Sequence, residues 1–373
     1  MLKKTGGFKV ASLIAAMAVA SFAIEGPAPA AAQTKTLRMQ SSFPANSTAQ
    51  DAAKMLADRV DKLTGGGLKL DMAPGGQVVP PFEVLDATHK KVLDGAVSID
   101  YYWVGKNKAF TLFSNTPAGV VGLDYLDFFG WFFEGGGQAL YEELLQKEMK
   151  LNIVAFPLYG PGPQALGWFR KPIESLAQFR GIKCRQTGIT AEIYAKMGMA
   201  VVNMPGGEIA PAAERGAIDC AEWVGGVEDL RLGLQNIWKN HYTPGLHEVA
   251  PVANVMFNKE VWEGLSAPQK EIVKSAATEV FMRWAAWWQK LNAEAIDEMQ
   301  TKHGVKILQT PPEINVEFLK AWDAVAQAES EKNPFFKKVY ESQKAYGAKV
   351  VPAKRFMFPP YTLTANHYYP PKP

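Results

Sequence analysis

The chain has 373 residues and a formal net charge of only +3, with 21% charged and 47% hydrophobic residues. It contains no block of basic residues, which argues against a protein that binds nucleic acid or a membrane surface. At this length a single hydrophobic core usually divides, so we expect two globular domains.

The N-terminus has the pattern of a secretory signal peptide. Lysines precede an uncharged apolar run at residues 10–24, and three alanines at residues 30–32 form a small-residue cleavage site before Gln33. The apolar run is shorter than the roughly 20 residues that a membrane-spanning helix needs. The sequence therefore predicts a signal peptide at residues 1–32 and export of the remainder to the periplasm; an uncleaved anchor is the alternative.

The exported part alternates between strand-like and helical patterns. In chain order, we expect strands at LRMQSSF, LKLDMA, AVSIDYYW, NIVAFPLY, GIKCRQT, AVVNMP and AIDCAEW, and helices at about 47–63, 82–93, 138–149, 190–197 and 208–216. This order predicts an α/β protein whose mostly parallel sheets are covered by helices and bind ligands at the carboxyl ends of the strands. The residues at those ends are Tyr101, Tyr102, Trp103, Gln164, Arg185, Glu222 and Trp223.

The stretch LYGPGPQALGWF, at residues 158–169, has the spacing G-x-G-x-x-A of a dinucleotide-binding loop. Such a loop binds a pyrophosphate through backbone N–H groups at a helix N-terminus. Here Pro161 and Pro163 lack an N–H, and the residues that follow alternate like a strand. We therefore expect no nucleotide cofactor.

The two cysteines, Cys184 and Cys220, each lie in an apolar run that predicts a buried strand. Export permits a disulfide between them, but we expect two packed thiols. The five histidines have no zinc-site spacing, and no nucleophile elbow or grouped catalytic set occurs. These patterns give no support to a metalloenzyme or a hydrolase.

One predicted helix is much longer than the others. Ser266 and Gln269 form a capping box, and Gly304 fits a C-terminal stop, so the helix would extend roughly 55 Å at 1.5 Å per residue. An apolar stripe along it indicates either core packing or a helix that spans two domains or reaches a second subunit. The stripe consists of Phe281, Trp284, Trp288, Leu291 and Ala295.

Five segments in a fixed order carry a family signature. They are YYWVGKNKAF, GGGQALYEEL, GWFRKPIESLAQFRGIKCRQTG, ERGAIDCAEWVGG and YTPGLHEVAPVANVMFNKE. Together they resemble the solute-binding proteins of TRAP transporters, the tripartite ATP-independent periplasmic systems, and most closely the branch that binds small 2-oxo acids. The resemblance covers nearly all of the exported chain.

The resemblance implies a two-lobed periplasmic-binding-protein fold that closes over a small organic acid. Each lobe would be a mixed, mostly parallel sheet, and the long helix would span both. The expected partners are one large and one small integral-membrane subunit, and a second copy of the chain in a homodimer. The expected domains are lobe I at 33–157 with about 246–285, lobe II at 158–245 with about 286–345, and a C-terminal tail at 346–373.

The resemblance also assigns roles to individual residues. Arg185 matches the arginine that pairs with the substrate carboxylate, and a planar guanidinium can bond both of its oxygens at once. Gln164 and Glu222 match residues that hold a cation beside the substrate together with the carbonyl of Trp223. These oxygen ligands suit Na⁺ or Ca²⁺, and a Gln–Glu hydrogen-bond network without metal is the alternative.

The glycine-rich stretch then has a different explanation. Gly160, Gly162 and the neighbouring prolines would shape the turn that presents Gln164 to the cleft, and they would hold no phosphate.

Other expected pocket residues lie in both lobes. Tyr102 and Trp103 would line the first lobe's side of the cleft, and Glu248 matches a glutamate at the pocket edge. The 2-oxo acid branch has two tryptophans before that glutamate, where this chain has Leu246 and His247. We therefore expect a roomier pocket that favours a monocarboxylate larger than pyruvate, such as a longer 2-oxo or 2-hydroxy acid or an aromatic acid.

Two other classes of function remain open from the sequence. A binding protein that serves a signalling receptor would have the same pattern. An exported enzyme acting on a carboxylate would need a nucleophile or an acid–base pair, and none is grouped in the sequence.

Overall fold

Two mixed β-sheets covered by helices form the part of the protein that the structure describes. The structure is a computed structural model, and it describes residues 34–370. The predicted signal peptide and its cleavage site lie outside these residues. No helix within residues 34–370 is long and apolar enough to cross a membrane.

The strands are β1 (Lys35–Ser41), β2 (Leu68–Ala73), β3 (Gly95–Ile99), β4 (Ile153–Tyr159), β5 (Gly167–Phe169), β6 (Lys183–Arg185), β7 (Ala200–Val202), β8 (Cys220–Ala221), β9 (Asn240–Thr243), β10 (Ala253–Asn258) and β11 (Lys306–Gln309).

The helices are α1 (Thr48–Leu63), α2 (Val84–His89), α3 (Phe110–Phe113), α4 (Gly119–Gly122), α5 (Tyr125–Glu134), α6 (Gly137–Glu143), α7 (Leu176–Phe179), α8 (Gly188–Lys196), α9 (Ile209–Glu214), α10 (Gly226–Leu232), α11 (Leu234–Ile237), α12 (Lys259–Glu263), α13 (Ala267–His303), α14 (Pro312–Lys332), α15 (Pro334–Met357) and α16 (Tyr361–Tyr368). Single 3-10 turns occur at Pro81–Glu83, Asp100–Trp103 and Gly206–Glu208, and a π-helical turn occurs at Leu144–Glu148.

Each sheet combines parallel and antiparallel pairs. The first sheet has the order β2-β1-β3-β10-β4 and the second β11-β9-β5-β8-β6-β7. In the first, β1 runs parallel to β2 and β3, whereas β10 is antiparallel to β3 and β4. In the second, β6 runs parallel to β7 and β8, whereas β5 is antiparallel to β8 and β9. We call the first sheet with its helices the first lobe, and the second sheet with its helices the second lobe. The presence of two such sheets confirms the expected two-lobed α/β class.

The predicted elements before the long helix are present, with one change. All five helices occur within a few residues of their expected positions, and α1 is capped by Ser47, whose side chain accepts a hydrogen bond from the Gln50 N–H. The strand predicted through AVSIDYYW ends at Ile99, and its aromatic residues form the 3-10 turn Asp100–Trp103 instead. That turn bends the chain toward the space between the lobes.

The long helix α13 is a wall shared by both lobes. Its capping box at Ser266 and its left-handed stop at Gly304 are present as predicted. It packs against α1 and β4 of the first lobe and against α10 and β11 of the second. Phe281, Trp284 and Trp288 are almost fully buried. The apolar stripe is therefore core, and it lies in a helix that contacts both lobes.

The strands of the two sheets follow the expected division closely. The first sheet uses residues 35–159 and 253–258, and the second uses 167–243 and 306–309. At the C-terminus, α15 runs through residue 346, where we expected a tail to begin, and it packs against α3, α5 and α6. The exact domain boundaries stay a prediction.

Cys184 and Cys220 form a disulfide, so our expectation of two packed thiols is wrong. The two residues face each other on the parallel strands β6 and β8, with their Cα atoms 4.5 Å apart. This separation lies within the range that a disulfide can bridge. The sequence did not reveal the pairing because 36 positions separate the two cysteines and only the sheet register brings them together.

Loss of this disulfide is expected to destabilise the protein. In the double variant Cys184→Ala/Cys220→Ala, the free energy of unfolding should fall by about 2–4 kcal/mol, because the unfolded chain regains the freedom of the loop that the bridge closes. Urea unfolding followed by tryptophan fluorescence measures this change. Reduced wild type is the matched control and should show the same loss. An unchanged midpoint in both samples would contradict the prediction.

Candidate functional site

Two neighbouring strands of the second sheet bring Arg185 and Glu222 together. Arg185 is the last residue of β6 and is in register with Ala221, the last residue of β8. Glu222 follows directly. Parallel strands end at the same edge of a sheet, which is where α/β proteins bind ligands. The disulfide lies one residue before Arg185 and ties the same two strands.

The Arg185 guanidinium is buried and paired with Glu222. Its Nη1 donates to Oε2 of Glu222 at 2.8 Å and to the backbone carbonyl of Glu222 at 2.7 Å, while its Nε donates to the carbonyl of Met204 at 3.2 Å. The side chains are 1% and 2% exposed. Removing one partner would leave an uncompensated buried charge, which is strongly unfavourable. A further hydrogen bond joins the guanidinium to the side chain of Tyr102.

Gln164 reaches the same region from a loop before β5. Its backbone N–H donates to the carbonyl of Glu248 at 2.9 Å, and its carbonyl accepts from the N–H of Gly245 at 2.9 Å. The turn before it requires glycine at Gly162, which has φ of +78°. A Cβ there would also lie 2.4 Å from the Trp288 ring of α13. The loop is thus fixed by backbone pairing on one side and by the long helix on the other.

The first lobe contributes two tyrosines from the turn after β3. Burial raises the pKa of Tyr102, and the neighbouring Arg185 guanidinium partly offsets that rise. Burial also raises the pKa of Tyr101, and the charge of Glu248 adds to it. The Tyr101 ring lies against Gly188, at the start of α8 in the second lobe. Both neutral phenols therefore face the charged groups of the other lobe.

Trp103 does not join this group. Its indole N–H donates to the carbonyl of Phe82 at 3.0 Å, and its ring packs at 5.9 Å from Phe110 in the first lobe's core. Trp223, in contrast, lies beside the site, with the Arg185 guanidinium 5.4 Å from its ring centroid. A narrow cavity of about 20 Å³ lies between the lobes here, and its lining includes Tyr102, Gln164 and Trp223.

A second buried carboxylate gives the site excess negative charge. Burial raises the pKa of Glu248 well above its usual range, and the charge of Glu222 adds to the rise. A hydrogen bond with Tyr101 and the charge of Arg185 act in the opposite direction. One guanidinium cannot neutralise two carboxylates, so the site favours either a proton on Glu248 or another positive charge.

Several buried polar atoms around Arg185 have no hydrogen-bond partner within residues 34–370. They are Gln164 Oε1, Gln186 Oε1, Thr187 Oγ1, Glu222 Oε1, His247 Nδ1 and Nε2, and Glu248 Oε2. Buried polar groups in native proteins are almost always paired with protein or ordered water, so these atoms are available to bind a ligand, an ion or water.

Three members of the cluster were absent from the sequence-based site. Gln186 and Thr187 directly follow Arg185, so the strand-end rule already pointed to them. His247, which we expect in the pocket wall, is completely buried, and its Nε2 lies 3.8 Å from Glu222 Oε1. No sequence spacing links residues 222 and 247, because the contact depends on two separate loops.

Glutamine, glutamate and carbonyl oxygens are the donor set around the site. Within residues 34–370, no group of three or more His, Cys, Asp or Glu side chains is arranged to hold a metal ion. The unpaired oxygens of Gln164, Glu222 and Glu248 are hard ligands from amide and carboxylate groups, and such ligands suit Na⁺ or Ca²⁺ better than a transition metal.

Comparison with known proteins assigns the chain to a family. Residues 39–333 match the model of the DctP family, described as bacterial extracellular solute-binding protein, family 7. The chain belongs to this family. Its members in TRAP transporters are solute-binding receptors and not enzymes, and they act outside the cytoplasm.

Three relatives resemble the protein over most of its length. A monocarboxylate 2-oxoacid-binding periplasmic protein from Nostoc sp. is 32% identical over 84% of both chains. A TRAP solute-binding protein from Bordetella bronchiseptica, crystallised as a mixed-occupancy dimer with copurified calcium and picolinate, is 30% identical with a TM-score of 0.83, covering 90% of this chain and 97% of its own.

The third relative is a TRAP solute-binding protein from Pseudoalteromonas atlantica with bound sodium and pyruvate. It is 25% identical, with a TM-score of 0.82 over 90% of this chain and all of its own. These two TRAP solute-binding protein structures share the fold of this chain, and each carries a small organic acid together with a hard cation.

Proposed function

We propose that this protein is the periplasmic receptor of a TRAP transporter, that it captures a monocarboxylate between its lobes, and that it delivers this acid to one large and one small membrane subunit. The observation that carries the proposal is the buried Arg185, which is surrounded by polar atoms without partners at the junction of two lobes. Family membership supports transport as the purpose of this binding.

Arg185 would bind the ligand carboxylate together with Tyr102, whose side chain is hydrogen-bonded to the guanidinium. Nη1 and Nε already donate to Glu222 and Met204, so Nη2 would be the donor to the ligand. The bidentate pairing expected from the sequence would require Glu222 to release Nη1. A charge-assisted bond in this water-poor site is strong in either geometry.

A hard cation would complete the site. Gln164, Glu222 and the Trp223 carbonyl remain the proposed ligands, and the unpaired Glu248 Oε2 lies in the same cluster. The carboxylates of Glu222, Glu248 and the ligand together carry three negative charges against one arginine. A Na⁺ or Ca²⁺ ion offsets this excess. Relatives that contain sodium with pyruvate or calcium with picolinate support this arrangement.

The ligand is proposed to be a monocarboxylate larger than pyruvate, either a longer 2-oxo or 2-hydroxy acid or an aromatic acid. Leu246 and His247 occupy the wall that tryptophans fill in the 2-oxo acid branch, and His247 adds polar nitrogens near Glu222. Picolinate in the Bordetella relative is an aromatic acid with a ring nitrogen beside its carboxylate, which supports such a ligand.

A panel of carboxylates tests this function. Pyruvate, lactate, longer 2-oxo and 2-hydroxy acids, picolinate and a dicarboxylate would be added to the mature protein in sodium- and calcium-containing buffer, and Tm would be measured. We expect monocarboxylates larger than pyruvate to raise Tm most, because a longer side chain buries more apolar surface at about 25 cal/mol per Å². A largest shift with pyruvate or lactate would reject the size preference.

Arg185→Lys is the matched site variant for the panel. It keeps the positive charge opposite Glu222 but loses the planar arrangement of guanidinium donors. Ligand affinity should therefore fall roughly a hundredfold, which corresponds to a loss of about 3 kcal/mol in binding free energy. Arg180→Lys, on the exposed surface of the same lobe, should bind like wild type. Retained affinity in Arg185→Lys would remove Arg185 from the ligand site.

Cation removal is expected to weaken ligand binding reversibly. After dialysis against chelator in a potassium buffer without sodium, calorimetry should show lower affinity for the best acid of the panel, since the carboxylates of the site repel the ligand. Adding back Na⁺ or Ca²⁺ should restore it, and Glu222→Gln should reduce the response. Unchanged affinity in buffer shown to be metal-free by elemental analysis would favour a hydrogen-bond network instead.

A homodimer is also proposed, although not through the stripe of α13, which is buried within one chain. The segment from 356 to 369 carries large apolar residues that are mostly exposed, with Phe356 at 90% and Tyr361 at 84%. Monomeric proteins rarely expose such a run. The exposed residues are Phe356, Met357, Phe358, Tyr361, Leu363, Tyr368 and Tyr369.

A second copy of the chain is the expected cover for this segment. Sedimentation velocity at micromolar concentration should show a dimer for the mature wild type. Phe356→Ser/Tyr361→Ser should shift it toward monomer, whereas Phe133→Ser, a half-exposed apolar residue on α5, should not. A wild-type monomer over this concentration range would reject the dimer.

A further inference from the structure

Glu228 is a buried carboxylate that neither the family comparison nor the site around Arg185 uses. It lies in the first turn of α10, shortly after the loop that carries Glu222 and Trp223, and its side chain is 2% exposed. It also lines the cavity between the lobes, together with Tyr102 and Gln164. Burial of a carboxyl group is unfavourable unless the group is paired, so the contacts of Glu228 should explain its position.

The partners of Glu228 belong to the opposite lobe. Its Oε1 accepts a hydrogen bond from the backbone N–H of Thr48 at 2.5 Å, and the Thr48 hydroxyl donates to the same atom. That hydroxyl also lies 2.7 Å from the hydroxyl of Tyr159, at the end of β4. Thr48 begins α1, a helix of 16 residues. A carboxylate at a helix N-terminus pairs with a free N–H and with the positive end of the helix dipole.

Glu228 is the buried member of a larger contact between α10 and the start of α1. On the surface, Arg231 pairs with Asp51 at 2.6 Å, and the side chain of Asn46 donates to the Arg231 carbonyl. Exposed ion pairs of this kind contribute little. The bond from Glu228 to Thr48 is shielded from water, and it can form only when the lobes are together.

The electrostatic surroundings of Glu228 favour its neutral form in the closed protein. Burial raises its pKa to about 7, the hydrogen bonds from Thr48 lower it, and the charges of Arg231 and Asp229 act in opposite directions. Tyr159 of β4 is the other titratable group that faces it, and the charge of Glu228 contributes to the raised pKa of that phenol. When the lobes separate, the carboxyl would return to water and to an ordinary pKa of about 4.3.

We propose that Glu228 is the positioning residue that joins α10 to the N-terminus of α1 when the lobes close, so that ligand capture in the adjoining cavity is coupled to closure. This inference rests on the proposed function, because it requires a ligand between the lobes. The closed form holds its proton up to about pH 7. The open form releases its proton near the ordinary pKa of about 4.3, so closure takes up a proton between that pH and about pH 7. Ligand affinity therefore decreases as the pH rises across this window and levels off above it.

Three variants separate the hydrogen bond from the charge. Glu228→Ala removes the acceptor and leaves the buried Thr48 N–H unpaired, so affinity should fall roughly tenfold or more, as expected when a buried donor loses its partner. Glu228→Gln keeps the acceptor oxygen without a charge, so affinity should remain high and lose the part of its pH dependence that is due to Glu228. Glu214→Gln, an exposed glutamate on α9 of the same lobe, is the control.

The measurement is calorimetric titration of the mature protein with pyruvate and with picolinate from pH 5 to pH 8, with circular dichroism to verify folding. Glu248 also titrates in the site, so each variant is compared with wild type at the same pH. Glu228→Ala affinities equal to those of Glu214→Gln, or a pH profile that Glu228→Gln leaves unchanged, would overturn the proposal. The titration is repeated with the monocarboxylate of the panel that raises Tm most. If wild type binds no monocarboxylate of the panel, the proposed function fails and this inference fails with it; if wild type binds one, the variants titrated with that acid test Glu228 alone.

Discussion

The buried ion pair between Arg185 and Glu222 is the interaction on which the site depends. Both groups are nearly inaccessible to water, so neither would be stable there without the other. The disulfide between Cys184 and Cys220 fixes the two strands one residue before Arg185 and two before Glu222. A covalent link, a parallel register and a charge pair therefore all fix the same edge of the second sheet.

Charge balance then determines what this edge can accept. Glu248 adds a second carboxylate whose pKa burial and Glu222 both raise, and a ligand would add a third. Negative charge of this density in a buried site favours a proton on Glu248 or an added positive charge, and the unpaired oxygens of Gln164 and Glu222 would be ligands for a cation. The tyrosines of the first lobe supply neutral hydrogen-bonding groups on the opposite wall, so both lobes are needed to enclose the ligand.

The long helix α13 supports the loops of the site and contacts both lobes. Its Trp288 leaves room only for glycine at Gly162 and lies close to Gly225, so it supports both the loop of Gln164 and the loop that follows Glu222. Asn292, one turn further, accepts a hydrogen bond from the N–H of Val227 at the start of α10. The helix that bridges the lobes thus also supports the loops from which the proposed ligand contacts and Glu228 project.

The sequence by itself determined the α/β class, α13 with both of its ends, and the positions of Arg185, Glu222 and Gln164. Local periodicity, capping residues and strand ends encode these features over a few neighbouring residues. Only the tertiary structure decided the Cys184–Cys220 disulfide, the burial of His247 beside Glu222, and the separation of Trp103 from the site. These features depend on sheet register and loop packing between distant segments, and a change of one residue in register reverses which side chains meet.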